Sequence, residues 1–325
     1  MKQIIALLVI GFMNVASVKA DLIKIDGSST VFPITEAMAE DFQQSVKGKT
    51  KITVGISGTG GGFKKFCRGD IDISNASRPI LKSEIEACRA AGILFYEIPI
   101  AFDAITVVTN PQTKFLKSIT IAELKRIWEP AAQGKIKTWK QVNIQWPDMP
   151  LSLFGPGADS GTFDYFTDAI VGKAKSSRGD YTASEDDNVL VQGVARNVGG
   201  LGYFGFAYYV ENQDKLVAVA IVNSKGQPVL PSYESVIDGT YEPLSRPIFI
   251  YVNAKSYQRP EVQQFVEFYF KNAKALIEEV KYVPLPIKAY EHNREILNKQ
   301  RVGTKFGGEP KVGLTIDELI KLETK

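Results

Sequence analysis

The chain carries 325 residues, more than a single hydrophobic core usually holds, so two domains are expected. Its 44% hydrophobic and 23% charged residues are those of an ordinary folded protein and exclude a disordered or fibrous chain. The 39 Lys and Arg against 36 Asp and Glu leave a net charge of only +3, which argues against nucleic acid as a partner, because such binders carry a basic stripe.

The first element is a targeting segment. Met1-Lys2-Gln3 precedes an apolar run over residues 4–13, and Asn14-Val15-Ala16-Ser17-Val18-Lys19-Ala20 follows. A basic start, a short apolar stretch and a Val-x-Ala exit predict a signal peptide over residues 1–20, cleaved after Ala20. The run is shorter than the roughly 20 residues a bilayer crossing needs. Export puts the mature chain in an oxidising compartment, so the two cysteines, Cys67 and Cys88, are expected to form a disulfide. Neither lies in a C-x-x-C pair or beside a histidine, so no metal is expected, and no cofactor motif is present.

Residues 22–25 alternate in the manner of a strand, and 31–46 carry Phe32, Ile34, Met38, Phe42 and Val46 on one helical stripe. A second strand spans 52–56. Gly58-Thr59-Gly60-Gly61-Gly62 has the composition of a turn, with a helix starting at Phe63. A third strand over 71–74 ends at Asn75-Ala76-Ser77-Arg78-Pro79. Residues 82–91 suit a helix with Ser83 as cap and Glu86 completing a capping box. Strand, polar turn and helix thus recur, which predicts an α/β fold of mixed sheets flanked by helices, with ligands at the strand ends.

Two later apolar strands, 104–110 and 246–253, each end in Asn. They are expected to carry the chain between lobes. That divides it into a first lobe of 21–104 plus 249–325 and a second of 105–248, with a ligand cleft between them. In the second lobe, 120–128 suits a helix. A strand over 151–154 leads through Gly155-Pro156-Gly157-Ala158-Asp159-Ser160-Gly161-Thr162 into an aromatic helix over 163–170. The glycine-aromatic stretch 199–209 suits interior packing, and 262–270 a strongly apolar helix.

Four polar turns share one design: Ser28-Ser29-Thr30, the 58–62 glycine run, Ser77-Arg78 and Asp159-Ser160-Gly161-Thr162. Helix N-termini present unpaired N–H groups at the positive end of the helix dipole, and an anion is bound there by fixed donors. Serine and threonine hydroxyls add donors. Each turn alone is explained by helix capping; the set is an oxyanion-site pattern. The Arg78 guanidinium offers a planar fork suited to a tetrahedral oxyanion. Asp159 is expected to accept the O–H of a protonated oxyanion and to repel a fully deprotonated one, with Asp186 and Asp187 as weaker alternatives. Enzyme chemistry is disfavoured: a nucleophilic Ser160 needs a base, and the single histidine, His292, lies in a polar helical stretch.

Gly27-Ser28-Ser29-Thr30-Val31-Phe32-Pro33, Gly58-Thr59-Gly60-Gly61-Gly62-Phe63, Ala76-Ser77-Arg78-Pro79-Ile80 and Asp159-Ser160-Gly161-Thr162, in that order, resemble the PstS-type phosphate-binding proteins of the periplasm. Asp186-Asp187-Asn188-Val189-Leu190-Val191 and the aromatic run 203–209 resemble the same branch. The resemblance implies a two-lobe Venus-flytrap fold and a monomer. It implies phosphate held by Ser29, Thr30 and the Val31 amide with Thr59, Ser77 and Arg78, and by Ser160, Gly161 and Thr162 from the other lobe. It also implies delivery to the permease and ATPase of an inner-membrane ABC importer. The family's better-known branch has an acidic residue where Ser77 aligns and an arginine before the Ser-Gly-Thr turn. Here Pro156 stands near that arginine position, Arg78 is the expected replacement and Asp159 the expected carboxylate. The rival expectations are another oxyanion, sulfate or molybdate, and a secreted phosphatase.

Overall fold

The computed structural model describes residues 21–309 and 311–323; the expected cleavage site after Ala20 falls at the edge of the described residues, and the targeting segment itself lies outside them. The chain opens with β1 (Asp21–Gly27), α1 (Phe32–Ser45), β2 (Thr50–Val54), α2 (Gly58–Phe66), β3 (Ile73–Ala76), α3 (Lys82–Ala90) and β4 (Phe95–Thr109). β2 and β3 flank β1 in parallel, the arrangement that strand–helix–strand repeats impose. The strand Ser245–Asn253 returns antiparallel between β3 and β4.

β4 is fifteen residues long and buried throughout. Its first part, up to Ala104, pairs with the returning strand. From Ile105 it pairs instead with the strand Gly200–Gly205, which in turn pairs with Ser152–Gly155. One strand therefore serves two sheet regions, with the change of partner at Ala104/Ile105. The long helix Pro260–Glu279 packs its apolar stripe, including Val262, Phe265, Val266 and Tyr269, on the first region. Trp128, Phe166 and Tyr203 form the aromatic centre of the second, with Phe166 stacked on Tyr203 at 3.7 Å. Among the described residues no helix is long and apolar enough to cross a membrane.

Cys67 and Cys88 are joined in a disulfide, tying the end of α2 to α3. Two local expectations are corrected. The glycine run is no turn; it forms the first turns of α2. Its glycines are required by close approach, because a Cβ on Gly62 would stand 2.6 Å from Gly27 Cα. The cap of α3 is not Ser83 with Glu86. Glu84 closes the helix start by accepting from the Leu81 amide at 2.8 Å, while the same carboxylate grips Arg78.

Candidate functional site

The N-terminus of α1 and that of the helix Gly161–Val171 come from opposite lobes and meet. Thr30 Oγ1 and Thr162 Oγ1 lie 3.0 Å apart, both buried. Beside them Thr59 Oγ1 stands 3.2 Å from Ser77 Oγ and accepts the Ser77 amide at 3.1 Å. Gly161 is pressed onto this second pair: a Cβ there would lie 2.5 Å from Thr59 Oγ1 and 2.6 Å from Ser77 Oγ. Ser160 Oγ caps its helix, accepting from the amides of Thr162 at 3.1 Å and Phe163 at 3.4 Å, and keeps its own proton to donate. The turn before α1 is fixed from behind by Tyr208, which donates to Ser29 O at 2.9 Å, and by Tyr282, which donates to Thr30 O. Four hydroxyl-bearing turns and two helix starts thus share one enclosed place, at the positive ends of two helix dipoles.

The cation at this place is Arg246. Its side chain is 0% exposed, as is that of Asp103 directly across the strand pair. Nη2 donates to Asp103 Oδ2 at 2.9 Å, to Thr162 Oγ1 at 2.8 Å and to Thr30 Oγ1 at 3.4 Å. Nε reaches Asp103 Oδ2 at 3.2 Å and Nη1 the Gly161 carbonyl at 3.3 Å. The guanidinium lies over the Tyr165 ring, 5.6 Å from its centre. One guanidinium therefore touches threonine hydroxyls from both lobes while Asp103 fixes its orientation.

Asp187 supplies the carboxylate. It is buried in the first turn of the helix Asp187–Ala195 and accepts the Ser29 hydroxyl on Oδ1 at 3.3 Å. Its Oδ2 has no hydrogen-bond partner. Burial, then repulsion by Asp103, pushes its carboxyl up to about 7, against the pull of Arg246 and Ser29. Asp186 has another job, capping that helix through the Asn188 amide at 2.9 Å.

Residues 14–273 match the model of the PBP superfamily domain. The chain is 53% identical over 308 residues to protein SphX of Synechococcus elongatus, covering 95% of this chain and 90% of that one. It is 39% identical over 279 residues to the phosphate-binding protein PstS of Staphylococcus saprophyticus, covering 85% and 84%. The chain belongs to the PBP superfamily, on its PstS-type branch. A possible phosphate-binding protein from Planctomyces limnophilus aligns with a TM-score of 0.63 at 47% identity, over 87% of this chain and 99% of that one. A putative phosphate ABC transporter substrate-binding protein from Clostridium perfringens, solved with bound phosphate, aligns with a TM-score of 0.68 at 26% identity, over 82% and 100%. The superfamily's two-lobe fold is the one seen here, and its PstS branch consists of binding proteins, not enzymes.

Within this PBP fold the expected residues separate. Ser29, Thr30, Val31, Thr59, Ser77, Ser160, Gly161 and Thr162 are gathered at the lobe junction; Ser29, Thr30, Thr59, Ser77, Ser160 and Thr162 are all buried. Arg78 and Asp159 are turned to other work. Arg78 is buried, but none of its bonds goes to a hydroxyl of the cluster: Nε donates to Asp164 at 2.6 Å, Nη1 and Nη2 to Glu84 at 2.8 Å each, and Nη1 also to Pro79 O. The Asp159 carboxylate lies 42% exposed in an ion pair with Lys64 at 2.8 Å; what it brings to the lobe junction is its carbonyl, which accepts the Gly60 amide at 2.7 Å. Gly58 is needed at the same contact, since a Cβ would stand 2.5 Å from Asp159 O.

Arg246 escaped the sequence reading because it opens an apolar strand that looks purely structural. Its signal was there: Ser-Arg-Pro occurs twice, at 77–79 and at 245–247, and the second arginine interrupts a strand buried at every position. A lone cation there needs a partner, and Asp103 is the one charge within the facing stretch 98–104 of β4.

Proposed function

We propose that this chain is an exported receptor that closes two lobes over inorganic phosphate and passes the ion to the permease and ATPase of an ABC importer. The observation that carries the proposal is the buried Arg246, bonded to Thr30 and Thr162 where helix starts from both lobes meet. A tetrahedral dianion suits such a place: the Thr30, Thr59, Ser77, Ser160 and Thr162 hydroxyls, the Ser29 and Val31 turn, the Gly161 amide region and one guanidinium all donate. Charge-assisted hydrogen bonds contribute about 1.5–3 kcal/mol each, so several together offset the desolvation of the ion. Asp187 takes the role first given to Asp159. Its partner-free oxygen can accept the O–H that hydrogen phosphate has and sulfate lacks. The lobes are taken as 21–104 plus 249–325 and 105–248, hinged where β4 changes partners. Export rests on the signal-like residues 1–20, and the importer on the company kept by the Clostridium perfringens protein.

Isothermal titration of the mature chain with phosphate and with sulfate tests the assignment. Tight phosphate binding with sulfate much weaker is expected. Equal affinities, or no heat with phosphate, would sink it.

A further inference from the structure

Arg78 is the most deeply buried arginine outside the hydroxyl cluster among the described residues, and its partners come from both lobes. Glu84 lies on α3 of the first lobe, and holds the guanidinium by two bonds of 2.8 Å. Asp164 lies on the helix Gly161–Val171 of the second lobe, and takes Nε at 2.6 Å. The Arg78 and Asp164 side chains are 1% and 3% exposed. The Phe63 ring, itself buried, covers the guanidinium at 5.7 Å from its centre.

Position in the chain gives this pair its meaning. Arg78 follows Ser77 directly, and Asp164 sits two residues after Thr162, so the bond joins the two segments that must meet for the site to be complete. We propose that Arg78 and Asp164 form a latch across the cleft, which holds the second lobe's helix start against Thr59 and Ser77 and governs how fast a bound ligand leaves. The proposal rests on the reading of this place as a site that opens and closes.

The surroundings suit a latch that can be undone. When the lobes part, Arg78 keeps both bonds to Glu84, on its own lobe. Asp164 is left with Lys175, which lies on its own lobe with Nζ at 3.9 Å and is half exposed. Neither charge is stranded without a counter-charge, so separation avoids the large penalty of leaving a lone ion buried. A second set of contacts lies on the same face: Gly60 N to Asp159 O, and the solvent-exposed Lys64–Asp159 pair. Exposed pairs contribute little, which leaves Arg78–Asp164 as the charged contact of consequence on that face.

The test compares the mature wild type with Asp164→Asn by small-angle scattering without ligand and with phosphate, and by stopped-flow release of phosphate. Asp164→Asn should be more open without ligand and should release phosphate at least about tenfold faster, because loss of one member of a buried charged pair appears chiefly in the dissociation rate. If Asp164→Asn does not fold, Arg78→Lys is read instead: one ammonium cannot serve Glu84 and Asp164 together, and the same opening is expected. Asp180→Asn is the control, since the Arg178–Asp180 pair lies wholly within the second lobe; release should stay at the wild-type rate. Wild-type lobe separation and release in the latch variant, or equal acceleration in the control, would overturn the proposal. A wild type that ignores phosphate would refute the ligand, while the ligand-free scattering comparison would still decide the latch.

Discussion

Replacing Asp187 by Asn removes one charge and almost no volume. The native carboxyl holds its proton up to about 7 instead of the ordinary 3.8. At about 1.4 kcal/mol per tenfold of proton affinity, that difference is a cost of ~4 kcal/mol for the ionised group in the closed, ligand-free protein. The sign follows from proton counts. Between 3.8 and about 7 the unfolded chain has released this proton and the native one has not, so native stability falls as pH rises through that window and stays low above it. Asp187→Asn should therefore gain stability over wild type at pH well above 7 and little at pH below 4; opening of the lobes, which hydrates the carboxylate, reduces the gain.

Binding should move the other way. Above 7 the ionised Asp187 accepts an O–H from phosphate and repels sulfate; below it the protonated carboxyl donates and tolerates both. Phosphate-over-sulfate preference should accordingly narrow as pH falls through about 7. In Asp187→Asn the phosphate affinity should drop by about 10- to 150-fold, the equivalent of one charge-assisted hydrogen bond of ~1.5–3 kcal/mol, and the pH dependence of the preference should vanish. Titration calorimetry with both ions, above and below 7, measures this. An Asn variant that retains the full wild-type preference would show that Asp187 is not the acceptor.

Gly161→Ala should abolish tight binding while leaving the melting temperature near wild type, because its Cβ meets Thr59 and Ser77 only when the lobes close; calorimetry and thermal melting decide it, and retained affinity would refute the closed geometry. Arg246→Lys keeps a positive charge but cannot span Asp103, Thr30 and Thr162 together. It should weaken phosphate binding by an amount corresponding to roughly 2–5 kcal/mol and also lower stability, since Asp103 loses part of its pairing; an affinity within a factor of two of wild type would count against Arg246 as the ligand cation.

Much of the site was legible in the sequence because its parts are local. Ser29-Thr30, Thr59, Ser77 and Ser160-Gly161-Thr162 each lie at a strand end or helix start, where one-dimensional pattern specifies backbone and side chain together. The start of α2 moved because its glycines are selected by Gly27 and Asp159 from other segments, which spacing does not encode. The charges expected at the cluster, Arg78 and Asp159, bond elsewhere for the same reason. Arg78 and Arg246 stand in the same Ser-Arg-Pro setting. What separates them is the carboxylate each meets: Asp164 and Glu84 for one, Asp103 for the other.

The sequence by itself determined the alternation of strand and helix, the hydroxyl turns at helix starts and the family, since each rests on the order of neighbouring residues. Only the tertiary structure decided which arginine and which carboxylate face the cluster. A buried charge goes where its counter-charge is, and these partners lie 143 residues apart for Arg246 and Asp103, and 158 for Ser29 and Asp187. That proximity is created by the fold, when the returning strand is laid beside β4 and the two helix starts are brought together across the cleft.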